Sequence, residues 1–218
     1  MDREALAEVI PEAGSDTPMA QQLADNARRR IRLTGRPLPK PVRPRVLTVA
    51  NQKGGVGKTT TTVNVAAALA QSGLRVLVVD LDPQGNASTA LGIDHHADVP
   101  SVYDVLVEGR PLLDVVQECA TVPGLACAPA TIDLAGAEIE LVSLVARESR
   151  LDRALISARA AGLDFDYILL DCPPSLGLLT VNAMVAADEV FIPIQCEYYA
   201  LEGVSQLLKN IDLIKSHL

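Results

Sequence analysis

Residues 46–60 read VLTVANQKGGVGKTT, and this stretch decides the fold. The apolar run 46–50 predicts a buried strand, the glycines at 54–57 predict a tight turn, and residues 60–70 predict a helix. Glycines let backbone N–H groups wrap an anion without steric conflict, and the start of a helix adds partial positive charge. Strand, turn and helix in this order therefore predict a site for the phosphates of a nucleotide.

This phosphate-binding loop contains an additional lysine. The common pattern G-x-x-x-x-G-K-[ST] requires a glycine five residues before Gly57, where this chain has Gln52, and it gains Lys53 nearby. Lys58 is expected to reach the β- and γ-phosphates of ATP, and the Thr59 hydroxyl is expected to ligate Mg²⁺. The predicted nucleotide-binding residues are Lys53, Gly54, Gly55, Val56, Gly57, Lys58, Thr59 and Thr60.

The rest of the chain alternates between apolar runs and helical patterns. Strands are predicted at 75–80, 125–129, 167–171 and 189–194, and helices at 18–33, 101–106, 112–117, 134–145, 151–161 and 201–218. Apolar residues make up 49% of the 218 residues and aromatic residues only 3%, which suits aliphatic strands buried on both faces. We therefore expect an α/β fold with a doubly wound, mostly parallel sheet flanked by helices.

Composition also bears on location. No apolar run reaches the roughly 18 residues of a membrane span, and no signal peptide opens the chain. The four cysteines, Cys119, Cys127, Cys172 and Cys196, form no C-x-x-C pair, which favours reduced thiols in the cytoplasm; iron–sulfur binding is the alternative. His95 and His96 are adjacent in a polar loop and favour a surface role over a zinc site.

Charge divides the chain unevenly, although the formal net charge is −8. Residues 28–45 hold eight basic residues and no acidic one, whereas residues 46–218 hold ten basic and twenty-one acidic residues. With the prolines at 37–44, this predicts a flexible, basic, proline-rich extension over 1–45 before a domain over 46–218. The extension either contacts phosphates or an acidic partner, or serves as a solubilising tail.

Aspartates end two of the predicted strands. Asp171 ends the run YILLD and is expected to hold Mg²⁺ through water, because Mg²⁺ keeps several of its waters. Asp82 follows the second strand, within VDLDPQGN, and is a weaker candidate for water-mediated contact with the metal. Asp80 either supports the metal site or caps the turn, and the turn cap is favoured; Gln84 and Asn86 are typical turn residues.

The loop with its second lysine resembles the deviant Walker A motif of the ParA/MinD-type P-loop ATPases. The resemblance covers residues 46–218 and implies ATP-dependent closure of a homodimer, with Lys53 reaching the phosphates of the partner subunit. It also implies that Asp82 orients or activates the attacking water, so the expected catalytic residues are Lys53, Lys58 and Asp82. The loop after Asp171 resembles the family's switch II.

Two strings point within this family to the ParA/Soj-type partition ATPases: DPQGN at 82–86 and PIQCEYYALEG at 193–203. That resemblance implies a cytoplasmic, nucleoid-associated enzyme that binds DNA non-specifically and is stimulated by a ParB-like partner. It also implies further strands and helices after the last predicted helix, so the domain is expected to be truncated at its C-terminus. Tyr198 and Tyr199 are expected to lie in a packed loop rather than at the dimer face. The alternatives are a MinD-like positioning ATPase, an iron–sulfur relative resembling the nitrogenase iron protein, and an amide-forming enzyme.

Overall fold

The computed structural model describes residues 18–33, 37–195 and 200–217. The chain divides into two units, Met1–Pro39 and Lys40–Leu218. The first unit contains helix α1 (Pro18–Leu33), which confirms the predicted helix. In it, Arg28 pairs with Asp25 one turn earlier, at 3.3 Å.

The second unit is built on a six-stranded sheet. Its strands are β1 (Arg45–Val49), β2 (Val76–Asp80), β3 (Gln117–Glu118), β4 (Leu125–Ala128), β5 (Tyr167–Asp171) and β6 (Glu189–Phe191). They lie in the order β3-β4-β2-β5-β1-β6, and every neighbouring pair is parallel except the antiparallel pair β3–β4. The predicted doubly wound, mostly parallel sheet is confirmed.

Helices and short turns connect these strands. They are α2 (Lys58–Gln71), α3 (Asn86–Ala90), a π-helical turn (Asp104–Glu108), a 3-10 turn (Leu112–Asp114), α4 (Leu134–Leu141), α5 (Arg150–Ala160), α6 (Leu178–Ala186) and α7 (Ala200–His217). The short helix predicted at 101–106 is found as helical residues 102–108, whereas the one predicted at 112–117 is wrong in length, since the 3-10 turn ends at Asp114 and Gln117 belongs to β3. The strand predicted at 189–194 ends at Phe191, shortly before Pro193, which has no N–H to donate to a neighbouring strand. Within the described ranges, no helix is both long and apolar enough to cross a membrane.

Aliphatic side chains cover both faces of the sheet. Alternate residues of β2 point to opposite faces, so that Val76 and Val78 belong to one buried cluster and Leu77 and Val79 to the other. The first cluster includes alanines of α2 and α3 (Ala66, Ala70 and Ala87), and the second includes residues of α4, α5 and α6 (Leu134, Leu155 and Ala183). Burial on both faces explains why the strands read as continuous apolar runs.

The register of the central strands places the predicted site. Asp171, the last residue of β5, lies opposite Val49 on β1 and Asp80 on β2. All three strands therefore end at the same level, and the loops that follow them meet at one edge of the sheet. Ligands bind at this carboxyl edge in open α/β sheets.

Candidate functional site

The glycine loop joins β1 to α2 in a conformation that only glycine adopts without strain. Gly55 and Gly57 have φ values of +72° and +87°, and α2 begins directly after Gly57. A Cβ atom added at Gly54, Gly55 or Gly57 would meet no atom within 4 Å, so the loop surface at these positions is open. A bound phosphate could approach the backbone here, as the glycine spacing predicts.

Side chains outside the predicted set hold this loop in place. Asn51 is buried; its Nδ2 donates to the carbonyl oxygen of Pro193 at 2.8 Å, and its Oδ1 accepts from the N–H of Lys53 at 3.0 Å. Nε2 of Gln195 donates to the carbonyl oxygen of Gly55 at 3.1 Å. The segment after β6 therefore anchors the loop. The sequence signals for these contacts were the polar residue two positions after the end of β1 and the string that begins at Pro193.

Lys58 is the buried cation of the site. Its side chain is 7% exposed, and its Nζ donates to the carbonyl oxygen of Lys53 at 3.3 Å. Burial lowers the pKa of Lys58, whereas the charges of Asp171 and Asp82 act to raise it. A buried ammonium group with a backbone carbonyl as an acceptor fits the phosphates of a nucleotide, which would supply charged partners.

Asp171 lies beside the first turn of α2, as the predicted metal site requires. Its carboxylate accepts hydrogen bonds from Thr59 Oγ1 at 2.7 Å and from Thr62 Oγ1 at 2.8 Å. The residue is fully buried, and this burial raises its pKa to about 6, although both hydroxyls act to lower it. A hydroxyl and a carboxylate in contact form an oxygen donor set that fits Mg²⁺. Thr62 was not predicted; it lies one turn after Lys58 on the same face of α2.

Asp80 and Asp82 have different environments although they are only two positions apart. Asp80 is fully buried and accepts from the N–H of Asp82 at 3.2 Å and from the N–H and hydroxyl of Ser88 at 2.9 and 2.7 Å. Burial raises the pKa of Asp80, and the bonds from Ser88 act to lower it. Asp80 thus fastens the turn to α3, which agrees with the favoured interpretation as a turn cap. Asp82 is half-buried, and its Oδ1 accepts from the N–H of Gln84 at 3.0 Å.

One cleft of about 580 Å³ brings together most of the predicted site. It is lined by Gly54, Gly55, Gly57, Lys58, Thr59, Thr60, Val63, Asn64, Asp82, Asn86, Ala90 and Pro174. Asp171 lies behind Thr59, in contact with its hydroxyl. The side chain of Lys53 is exposed, and Lys53 is not among the described residues that line this cleft.

The remaining candidates lie elsewhere. Cys119, Cys127 and Cys172 are free and buried, and burial raises the pKa of Cys172 to about 12. Cys196, Tyr198 and Tyr199 lie outside the described residues. Among those that are described, no group of three histidine, cysteine or acidic side chains is arranged to hold a metal ion.

Comparison with known proteins agrees with this geometry. A family model described as an AAA domain matches residues 44–218. The sporulation initiation inhibitor protein Soj of Bacillus subtilis is 57% identical over 175 residues, covering 80% of this chain and 67% of Soj. The chromosome partitioning protein ParA of Myxococcus xanthus is 52% identical over 174 residues, covering 80% of this chain and 60% of that protein. The chain belongs to the ParA/Soj-type partition ATPases.

A solved relative extends the comparison to bound ligands. The structure of cobyrinic acid a,c-diamide synthase from Mycobacterium smegmatis, with bound ATP analog and magnesium, matches with a TM-score of 0.73 and 45% identity. It covers 80% of this chain and 70% of the other. The resemblance to ParA/Soj-type ATPases and the P-loop fold are therefore confirmed. The chain spans 60% to 67% of the length of the two curated relatives named above.

Proposed function

We propose that this chain binds ATP with Mg²⁺ and hydrolyses it as the ATPase of a chromosome or plasmid partition system. The observation that carries the proposal is the meeting of Lys58, Thr59 and Asp82 in one cleft, with Asp171 in contact with Thr59. Phosphoryl transfer requires positioned reactants and positive charge on the γ-phosphoryl oxygens more than covalent chemistry.

Each residue has a role in this scheme. The backbone N–H groups of residues 54–60 and the ammonium group of Lys58 bind and orient the phosphates. Asp82, which lines the same cleft, orients or activates the attacking water. Thr59 directly, Asp171 through water and, more weakly, Asp82 through water would hold Mg²⁺, which would supply further positive charge at the phosphates. Lys53 acts across a homodimer, on the phosphates of the partner subunit.

The proposed DNA binding, partner and cellular location are inferred from the family. The ATP-bound homodimer binds DNA without sequence preference through phosphate contacts, and a ParB-like partner stimulates hydrolysis and ends the dimeric state. The protein is cytoplasmic and associates with the nucleoid. The identity with Soj and ParA supports this proposal, since the names of these relatives describe chromosome partitioning and the control of sporulation.

The decisive experiment measures ATP hydrolysis and dimerisation together, with and without duplex DNA, on this chain and on any longer form. ATP-dependent dimers that bind DNA and hydrolyse ATP slowly are expected. Nucleotide binding with neither dimerisation nor DNA binding in the longer form would overturn the partition role. Loss of these properties in the 218-residue chain alone would assign them to a further segment.

An amide-forming ATPase is the second candidate, because a relative at 45% identity is a cobyrinic acid a,c-diamide synthase. Such an enzyme transfers the phosphoryl group to a carboxylate, so its phosphate release depends on a carboxylic acid substrate and an amine donor. Hydrolysis that depends on cobyrinic acid and glutamine but is indifferent to DNA would favour it. Binding to liposomes instead of DNA would favour a MinD-like positioning ATPase.

A further inference from the structure

The imidazole ring of His95 lies against the turn that carries Asp82. A Cβ atom added at Gly85 would lie 2.7 Å from His95 Nδ1 and 2.9 Å from His95 Cε1, so the ring packs directly on the Gly85 backbone. The carbonyl oxygen of Ala130 would lie 3.3 Å from the same point, which leaves little free space around Gly85. Gly85 also has a φ of +62°, and its N–H donates to the carbonyl oxygen of Asp82 at 2.8 Å. The ring therefore covers a tight turn that closes on Asp82.

A hydrogen bond fixes the other side of the ring. Nε2 of His95 lies 2.9 Å from Thr89 Oγ1 on α3, the helix that begins one residue after Gly85. His95 therefore contacts both the turn and the helix that follows it. The hydrogen bonds from Ser88 to Asp80 fasten α3 to the sheet on its buried side. His95 contacts the same turn and helix on their outer side.

The loop that carries His95 is itself held in place. Ile93 is buried in an apolar cluster, and its N–H donates to the carbonyl oxygen of Ser88 at 3.0 Å. Gln117 Nε2 donates to the carbonyl oxygen of Asp94 at 3.0 Å. The N–H of Val99 donates to the carbonyl oxygen of His96, also at 3.0 Å. Anchors on both sides of His95 limit how far the ring can move away from the turn.

We propose that His95 is a positioning residue for Asp82. The ring limits the motion of the 82–86 turn and so keeps the Asp82 carboxylate facing the cleft, where a misplaced water-orienting group would slow the reaction. This inference rests on the proposed role of Asp82 in ATP hydrolysis. It assigns a function to one of two adjacent histidines whose sequence context indicates only a surface loop.

The test compares His95→Ala with His96→Ala, because His96 is the exposed neighbour in the same loop. His95→Ala is expected to lower kcat about tenfold with little change in KM for ATP, whereas His96→Ala is expected to retain parental kinetics. Thr89→Val removes the hydrogen bond but keeps the shape, and is expected to cause part of the same reduction in kcat. The double variant His95→Ala/Thr89→Val should be no worse than His95→Ala alone, since both changes break the same hydrogen bond.

Amide hydrogen exchange provides a readout that does not depend on hydrolysis. The N–H groups of Gln84 and Gly85 both donate to Asp82, so their exchange reports the order of the turn. His95→Ala is expected to speed their exchange about fivefold or more relative to the parent and to His96→Ala. Unchanged exchange, or kcat equal to that of the parent, would overturn the proposal. A different result would separate the two proposals: His95→Ala speeds the exchange, but Asp82→Asn hydrolyses ATP as fast as the parent. That result would support the contact between His95 and the turn and would overturn the role of Asp82 in hydrolysis.

Discussion

Asp171 and Asp80 lie opposite each other on neighbouring strands, and both are fully buried. Their hydrogen-bond partners differ in kind. Asp80 accepts from two backbone N–H groups and one hydroxyl, so its carboxylate is bound by the fold itself. Asp171 accepts from the hydroxyls of Thr59 and Thr62, which can rotate toward another ligand. Asp171 can therefore exchange its partners, which suits the proposed water-mediated contact with Mg²⁺, whereas Asp80 is held by the fold.

The raised pKa of Asp171 predicts a pH dependence of stability. Its pKa is about 6 in the folded protein, compared with 3.8 for an aspartate in the unfolded chain, so the native state binds the proton more tightly than the unfolded state does. The free energy of unfolding should therefore fall by up to about 3 kcal/mol as pH rises from about 4 through about 6, and level off above that. Chemical denaturation across this range measures it.

Asp171→Asn removes this titration and should give a flatter profile than the parent across the same range. Asp114→Asn is the matched control, because Asp114 is exposed and should leave the parental profile unchanged. Parallel profiles for the parent and Asp171→Asn would show that Asp171 is ionised as easily in the fold as in the unfolded chain.

Among the elements, those with long local patterns could be predicted from the sequence. Strands β1, β2 and β5 are continuous apolar runs, and their bounds follow the predicted ones closely. Strand β3 could not be predicted, because two residues carry no pattern and only its pairing with Ala126 and Cys127 makes it a strand. The helix predicted over 134–145 ends at Leu141, where the Arg147 guanidinium donates to the carbonyl oxygen of Val142 at 2.9 Å. That contact is local, five residues apart, and the helical pattern over 134–145 carries no signal for it.

The residues of the candidate site also fall into those that could be predicted from the sequence and those that could not. Lys58, Thr59, Asp82 and Asp171 could be predicted because each stands at a fixed distance from a strand end. The supporting residues could not: Asn51 and Gln195 act through backbone carbonyls that only the folded chain brings near. The catalytic and binding roles of the predicted set stay predictions until the variants are measured.

The contact between α4 and α6 contains a buried carboxylate oxygen whose hydrogen-bonding capacity is unmet. Among the described residues, Glu138 Oε1 on α4 has no hydrogen-bond partner, and it packs against Gly177 at the start of α6. An unsatisfied buried acceptor is destabilising. Glu138→Met keeps the length of the side chain and removes the acceptor, so it should raise the free energy of unfolding by about 1 kcal/mol.

Thermal or denaturant unfolding of the nucleotide-free protein measures this change. Glu108→Met, at an exposed carboxylate, serves as the control and should change stability by less than about 0.5 kcal/mol. A destabilised Glu138→Met variant would indicate that Glu138 contributes a favourable interaction at the start of α6.

At the scale of the whole molecule, the basic run 28–45 divides between the two units. In the second unit, Lys40 and Arg43 pair with Asp166 and Asp188 at 3.6 and 3.3 Å, and Arg45 pairs with Glu189 at 2.5 Å. These three cations are partly neutralised by the acidic domain. The other basic residues of the run belong to the first unit, where Arg28 pairs with Asp25: Arg28, Arg29, Arg30, Arg32 and Arg36.

Neutralising part of this group tests its contact with DNA. Replacing Arg29, Arg30 and Arg32 by glutamine should flatten the dependence of DNA affinity on salt, by about 0.9 in the log–log slope for each phosphate that these arginines neutralise in the parent. Arg43→Gln is the control and should leave the slope unchanged, because Arg43 is paired with Asp188. An unchanged slope in the triple variant would reduce the extension to a solubilising tail.

The two lysines of the glycine loop predict a separation of binding from assembly. Lys58 lines the cleft of its own subunit, whereas the exposed Lys53 side chain stands at the surface of the loop, where a partner subunit can approach. Lys53→Ala should therefore bind ATP within about threefold of the parental affinity, yet fail to dimerise with ATP and show a kcat at least about tenfold lower. Lys58→Ala should abolish nucleotide binding itself. Titration calorimetry and light scattering distinguish the two variants, and a Lys53→Ala protein that dimerises and hydrolyses ATP as the parent does would show that Lys53 does not act across the subunit boundary.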